Sequence, residues 1–98
     1  MPETLESFVA SLEQASMPDD LSLELQSLWA DAAGDWHRAH DLCQQEGTAH
    51  GDRIHAYLHR KEGDSENASY WYDRSGESMP AGSFEQEWEE LAQRFLAL

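Results

Sequence analysis

Five histidines, His37, His40, His50, His55 and His59, fall within one short stretch of the chain. In the helical pattern that covers the second half of that stretch, Asp52, His55, His59 and Glu62 lie in one narrow stripe on the flank of the apolar face. His55 and His59 stand at i, i+4, the spacing at which two imidazoles on one helix can meet a single metal ion. The carboxylates above and below, Asp52 and Glu62, could complete an oxygen/nitrogen ligand set. A zinc-protease helix would carry glutamate directly after the first histidine, and Ala56 stands there instead, so that chemistry is excluded. The alternative is a solvated stripe of carboxylate–imidazole pairs, each contributing only about 0.2–0.5 kcal/mol.

Upstream, His37 and His40 stand at i, i+3 with Gln44 one turn further, a set that forms a polar surface or simply faces water. Arg53 and Arg60 are i, i+7 on one side of the helix beside Tyr57, and with Lys61 and Arg74 they make up most of the basic charge. They form either a notch for a carboxylate or phosphate, or internal ion pairs with the many acids. Tyr70 points away from the face that holds Trp71 and Tyr72, towards Arg74, where it is an interface anchor unless the last helix covers it. Cys43, the single cysteine, sits on the face of Ala39 and is expected as a small buried hydrophobe, not a nucleophile. No glycine-rich phosphate loop occurs, and no serine and histidine share a recognisable catalytic spacing, so no catalytic residue is assigned and no enzyme is expected. No cofactor is assigned.

The elements that must carry these residues follow from apolar spacing and helix punctuation. Leu5, Phe8, Val9 and Leu12 give a first helix over about residues 3–15, ended by Met17-Pro18. A second, started by Asp19 or Asp20 and running to Ala33, aligns Leu21, Leu25, Leu28, Trp29 and Ala32. Gly34-Asp35 reads as a stop followed by a cap. The third helix then presents Trp36, Ala39, Leu42 and Cys43 and stops at Gly47. The fourth turns Ile54, Tyr57 and Leu58 inward, Gly63-Asp64 repeats the stop-and-cap signal, and the fifth runs to Gly76. Ser83 with Gln86 forms a capping box for a last helix carrying Phe84, Trp88, Leu91, Ala92 and Phe95. No stretch alternates with period two, so the expected fold class is all-α, about six antiparallel helices in a single domain over residues 1–98.

Sliding the chain by 29 positions superimposes Gly34 on Gly63, Asp35 on Asp64, Ala39 on Ala68 and Gly47 on Gly76. The same register brings Leu25 to Ile54, Leu28 to Tyr57, Leu42 to Trp71 and Cys43 to Tyr72. Two tandem helix-turn-helix hairpins, about 21–47 and 50–76, are therefore expected between capping helices at about 3–15 and 83–97. Ala56, Gly63, Ala68, Tyr72 and Ser75, with Pro80 closing the unit, resemble the small, turn, small, aromatic, small and proline positions of tetratricopeptide and Sel1-like repeats. The two large aromatic positions of that pattern fall at Asp52 and His59. The stretch His55 to Asp64 followed by Tyr70-Trp71-Tyr72 also resembles a group of short uncharacterised bacterial proteins, which brings no assigned activity. The repeat resemblance implies a scaffold for binding other proteins.

Twenty acids against six bases give a net charge of -14, which disfavours nucleic acid and anionic lipid and favours basic or neutral partners. The start of the chain, Met1 to Leu12, is acidic and amphipathic, and no apolar run approaches a membrane span, so a cytoplasmic protein is expected. The expectation is a non-enzymatic helical-repeat module that binds a protein or peptide, or pairs with itself as a homodimer. Its candidate binding residues are His55, His59, Arg53, Arg60, Tyr70 and Arg74. The alternative is a small-ligand- or metal-binding domain using His55, His59, Asp52 and Glu62.

Overall fold

The structure, a computed structural model, describes residues 3–98; Met1 and Pro2 of the acidic start lie outside the described residues. The fold is all-α: α1 (Leu5–Ser11), α2 (Leu23–Ala32), α3 (Trp36–Glu46), α4 (Ala49–Glu62), α5 (Ser65–Ser75) and α6 (Phe84–Leu96). None of these helices is long and apolar enough to cross a membrane. The short connections make α2–α3 and α4–α5 antiparallel hairpins. The hairpins join through α3 and α4, α6 packs on α2 and α4, and α1 lies on α6.

The two hairpin turns are built alike. Gly34 and Gly63 end α2 and α4 with φ of 91° and 89°, a left-handed conformation that a residue with a Cβ adopts only under strain. Immediately after each glycine, Asp35 N–H donates to the Ala30 carbonyl and Asp64 N–H to the His59 carbonyl, both at 2.9 Å. The two aspartates then cap the next helix, Asp35 accepting from Arg38 N–H at 3.1 Å and Asp64 from Asn67 N–H at 3.2 Å. Inside the hairpins Ala39 and Ala68 are fully buried, and their small size lets paired helices approach. There the Ser27 hydroxyl donates to the Ala39 carbonyl at 2.7 Å, whereas in the second hairpin Ala56 packs on Ala68.

The main core gathers Phe8, Leu25, Leu28, Trp29, Ile54, Tyr57, Leu58, Leu91 and Phe95. The C-terminal helix is locked in place by Trp88, whose indole N–H donates to the Leu28 carbonyl at 3.0 Å while its ring stacks on Phe8. Three details depart from the helix pattern. First, α1 is shorter than the apolar spacing predicts, because Leu12, Glu13 and Gln14 N–H groups donate three residues back and tighten the chain into turns. Within α1, Phe8 is buried while Val9 stays exposed. Second, α2 is capped by Ser22, which accepts from Leu25 N–H at 3.3 Å, and not by Asp19 or Asp20. Asp20 instead takes the left-handed conformation (φ 67°), which keeps it outside the helix. Third, Trp36 is only half-buried.

Candidate functional site

The histidines converge where the hairpins meet. His40 on α3 reaches across to His55 and His59 on α4, with ring centroids 4.4 Å and 5.4 Å apart. The i, i+4 spacing brings the His55 and His59 rings to 4.9 Å, 24° from parallel, and His40 meets both edge-on. One ligand nitrogen from each ring lies within 4.8 Å of the other two. Two indoles close the group. Trp36 stacks on His40 at 5.0 Å, and its N–H donates to the Leu58 carbonyl at 3.0 Å, which fixes the ring between α3 and α4. Trp71 of α5 stacks on His55 at 3.8 Å and 12°. Three helices thus build one aromatic–imidazole cluster.

Its electrostatics disfavour the charged form of two of the rings, His55 and His40. Burial, reinforced by His40, His59 and Arg74, lowers the His55 pKa to about 4. His40 is lowered in the same direction, first by burial and then by His59. Both rings therefore carry free lone pairs at neutral pH, the form in which imidazole binds a metal or accepts a hydrogen bond. His59 differs in its partner, because its Nδ1 lies 2.6 Å from Glu62 Oε2.

A cleft of about 230 Å³ borders His55 and is lined by Cys43, Asp52, Trp71 and Arg74 among others. Cys43 stays a protonated thiol there, because burial pushes its pKa up to about 12. Larger clefts lie elsewhere, two of about 420 Å³ by Glu24 and Phe95 and by Arg53 and Glu77, and one of about 380 Å³ by Tyr57 and Trp88. Glu24, Arg53, Glu77, Arg94, Asp31 and Lys61 there are engaged by partners within the fold, whereas the histidine cluster brings three imidazole nitrogens together. The cluster is the site the geometry favours.

The sequence-predicted residues separate into three groups. His55, His59 and Glu62 come together, but Asp52 does not join them and faces Arg74 instead, at 3.6 Å. Arg53 and Arg60 form no open notch. They turn onto Glu87, which accepts from Arg53 Nη1 at 2.6 Å, Arg60 Nη1 at 2.7 Å and the Tyr72 hydroxyl at 2.6 Å. Glu87 is fully buried, so these arginines neutralise a carboxylate carried in by α6. Tyr70 and Arg74 remain exposed on α5, with the guanidinium donating to the Tyr70 hydroxyl at 3.3 Å and lying over the Trp71 ring at 5.1 Å.

Sequence reasoning missed His40, which it placed with His37 and Gln44 on an outer polar surface. A signal did exist, since Trp36 and His40 repeat on α3 the i, i+4 spacing of His55 and His59. Only the packing of α3 on α4 turns the two pairs towards each other. It also missed the carboxylate hubs, Glu87 and Asp31; the latter accepts from the Tyr57 hydroxyl at 2.6 Å and from Lys61 at 3.0 Å. No protein-family model, curated protein or solved structure matches this chain.

Proposed function

We propose that the chain is a non-enzymatic helical-hairpin module, of tetratricopeptide or Sel1-like type, that works by binding a protein or peptide across its α3–α5 side. The observation that carries this reading is the exposed ledge on α5, where Tyr70 is 54% exposed and is held by Arg74 beside the half-buried Trp71. A tyrosine braced by a guanidinium presents contact area at low cost in side-chain entropy, as interface anchors do. The other side of the hairpins, where α2 and α4 line up, is covered by the chain's own α6 through Trp88 and Glu87. A partner therefore has the α3–α5 side open to it.

Charge favours a basic partner. Arg53, Arg60, Lys61, Arg74 and Arg94, five of the chain's six basic residues, each pair with a carboxylate of the fold, so the net charge of -14 is expressed outward. A binding role fits the chemistry of the interior, where the Cys43 thiol stays protonated and Glu87 and Asp31 are saturated by donors. A cytoplasmic setting and a homodimer through the same ledge belong to this proposal. The test is site-specific photo-crosslinking in cells of the source organism, with the probe in place of Tyr70 or, as a control, of Val9. A discrete adduct, with another protein or a second copy, is expected from the Tyr70 position and is lost on Arg74→Ala. Equal crosslinking from both positions, or none, contradicts the reading.

A further inference from the structure

The geometry points to His40, His55 and His59 as a three-nitrogen site for one divalent first-row transition cation of the zinc, nickel and copper class. Imidazole nitrogens select such ions over calcium and magnesium, which take oxygen ligands. In a tetrahedral site with metal–nitrogen bonds of about 2.0–2.1 Å, ligand nitrogens stand roughly 3.3 Å apart. The three nitrogens already lie within 4.8 Å of one another, so no pair closes by more than about 1.5 Å, within the reach of small side-chain rotations.

Several independent features fit this assignment. Two ligands come from one helix at i, i+4 and the third from its neighbour, so the site closes between elements that are already packed. His59 has an outer-sphere carboxylate, Glu62 at 2.6 Å from Nδ1, the partner that metal-bound histidines use to fix ring orientation and raise basicity. Trp36 and Trp71 hold the His40 and His55 rings by stacking and supply an apolar wall. His40 is half-buried, and the cleft that borders His55 is lined by the half-buried Trp71 and the exposed Arg74, so the cluster is not sealed from solvent. A second grouping, His59 with Glu62 and Asp64, is less suited because Asp64 is occupied as the α5 cap, accepting from Asn67 twice. The three protein ligands leave a fourth position for water or a group from outside the chain. This site goes beyond the partner-binding reading and needs no partner to be observed.

The test uses the full chain, stripped of metal and titrated near pH 7.5 with Zn²⁺ by calorimetry and with Co²⁺ by visible absorption. One ion per chain is expected, with the Co²⁺ bands of a nitrogen-rich site. His40→Ala, His55→Ala and His59→Ala should each weaken binding at least about 100-fold, and Glu62→Gln about 10-fold. His37→Ala and His50→Ala, outside the cluster, should leave it within about threefold. If an alanine variant loses its helical circular dichroism, imidazole nitrogen shifts in the unmodified chain decide instead, with Zn²⁺ expected to move His40, His55 and His59 and to leave His37 and His50. Absence of stoichiometric binding overturns the assignment, as does full displacement by millimolar Mg²⁺ or an equal loss in the His37 or His50 variant. Because titration is done on the chain alone and crosslinking at the Tyr70 position can be repeated on His55→Ala, failure of either proposal is visible separately.

Discussion

Replacing Glu87 by glutamine keeps the shape of the side chain and removes the charge on which two arginines and a tyrosine converge. Glu87 is fully buried and the Arg53 side chain is only 4% exposed, so the substitution strands a cation inside the fold. Breaking a buried pair in this way costs about 3–5 kcal/mol. Arg53 keeps a second carboxylate, Glu77 at 3.2 Å, and Arg60 is nearer solvent, which puts the expectation at the lower end, about 3 kcal/mol. For a domain of this size total stability is roughly 5–15 kcal/mol, and each kcal/mol moves Tm by about 4–8 °C. Glu87→Gln should therefore lower Tm by roughly 12–24 °C. Urea unfolding followed by circular dichroism gives the free energy directly. A double-mutant cycle with Tyr72→Phe should show a coupling of about 0.5–3 kcal/mol, because both groups belong to one network. The paired replacement Arg53→Met with Glu87→Leu should cost less than Glu87→Gln alone, since it leaves no buried charge in that pair. A cost for Glu87→Gln below about 1 kcal/mol, or strict additivity with Tyr72→Phe, would refute the view that α6 is anchored by this carboxylate.

Two further outcomes follow from the interior. Tyr57→Phe removes the hydroxyl that donates to the buried Asp31 and leaves that carboxylate the Lys61 ammonium, so a loss of about 1–3 kcal/mol is expected in urea denaturation. In the folded chain the His55 pKa is lowered from its ordinary value of 6.5 to about 4, first by burial and then by coupling to His40, His59 and Arg74, all of which disfavour the imidazolium. The unfolded chain therefore binds the proton first: this stability is complete above about pH 6.5 and is lost as pH falls towards 4. His55→Phe should flatten the slope of unfolding free energy between pH 6.5 and 4; an unchanged slope, or an imidazole signal of His55 titrating near 6.5, counts against the buried neutral ring.

The position of α6 shapes what the hairpins can offer. Tandem helical hairpins leave one side of each helix pair without a neighbour, and here α6 fills that side with Trp88, Leu91, Phe95 and the buried Glu87. The Glu87 hub has a directional consequence, since a peptide seeking the α2–α4 side must displace a carboxylate with three donors. On the α3–α5 side Tyr70 and Arg74 carry no such cover among the described residues, and both are exposed.

Helix identity and most helix ends are local properties, and the sequence by itself determined them. Gly34-Asp35 and Gly63-Asp64 specify a left-handed stop followed by a side-chain cap whatever the rest of the chain does, and both turns take that form. The capping box of Ser83 and Gln86 and the apolar stripe of α6 are equally local. The ends set by competition between neighbouring caps are not fixed locally, as at Ser22 against Asp19 and Asp20, because several residues there can accept the same N–H. Two of the three clustered histidines were legible in the same way, since His55 and His59 share a helix face by spacing alone. The rest depends on residues remote in sequence. Whether His40 faces water or two other imidazoles, and whether Arg53 and Arg60 form an open notch or neutralise Glu87, is set by which helix faces pack together. Periodicity states which residues share a face of one helix, but it carries no information on the azimuth at which two helices meet, and only the tertiary structure decided that.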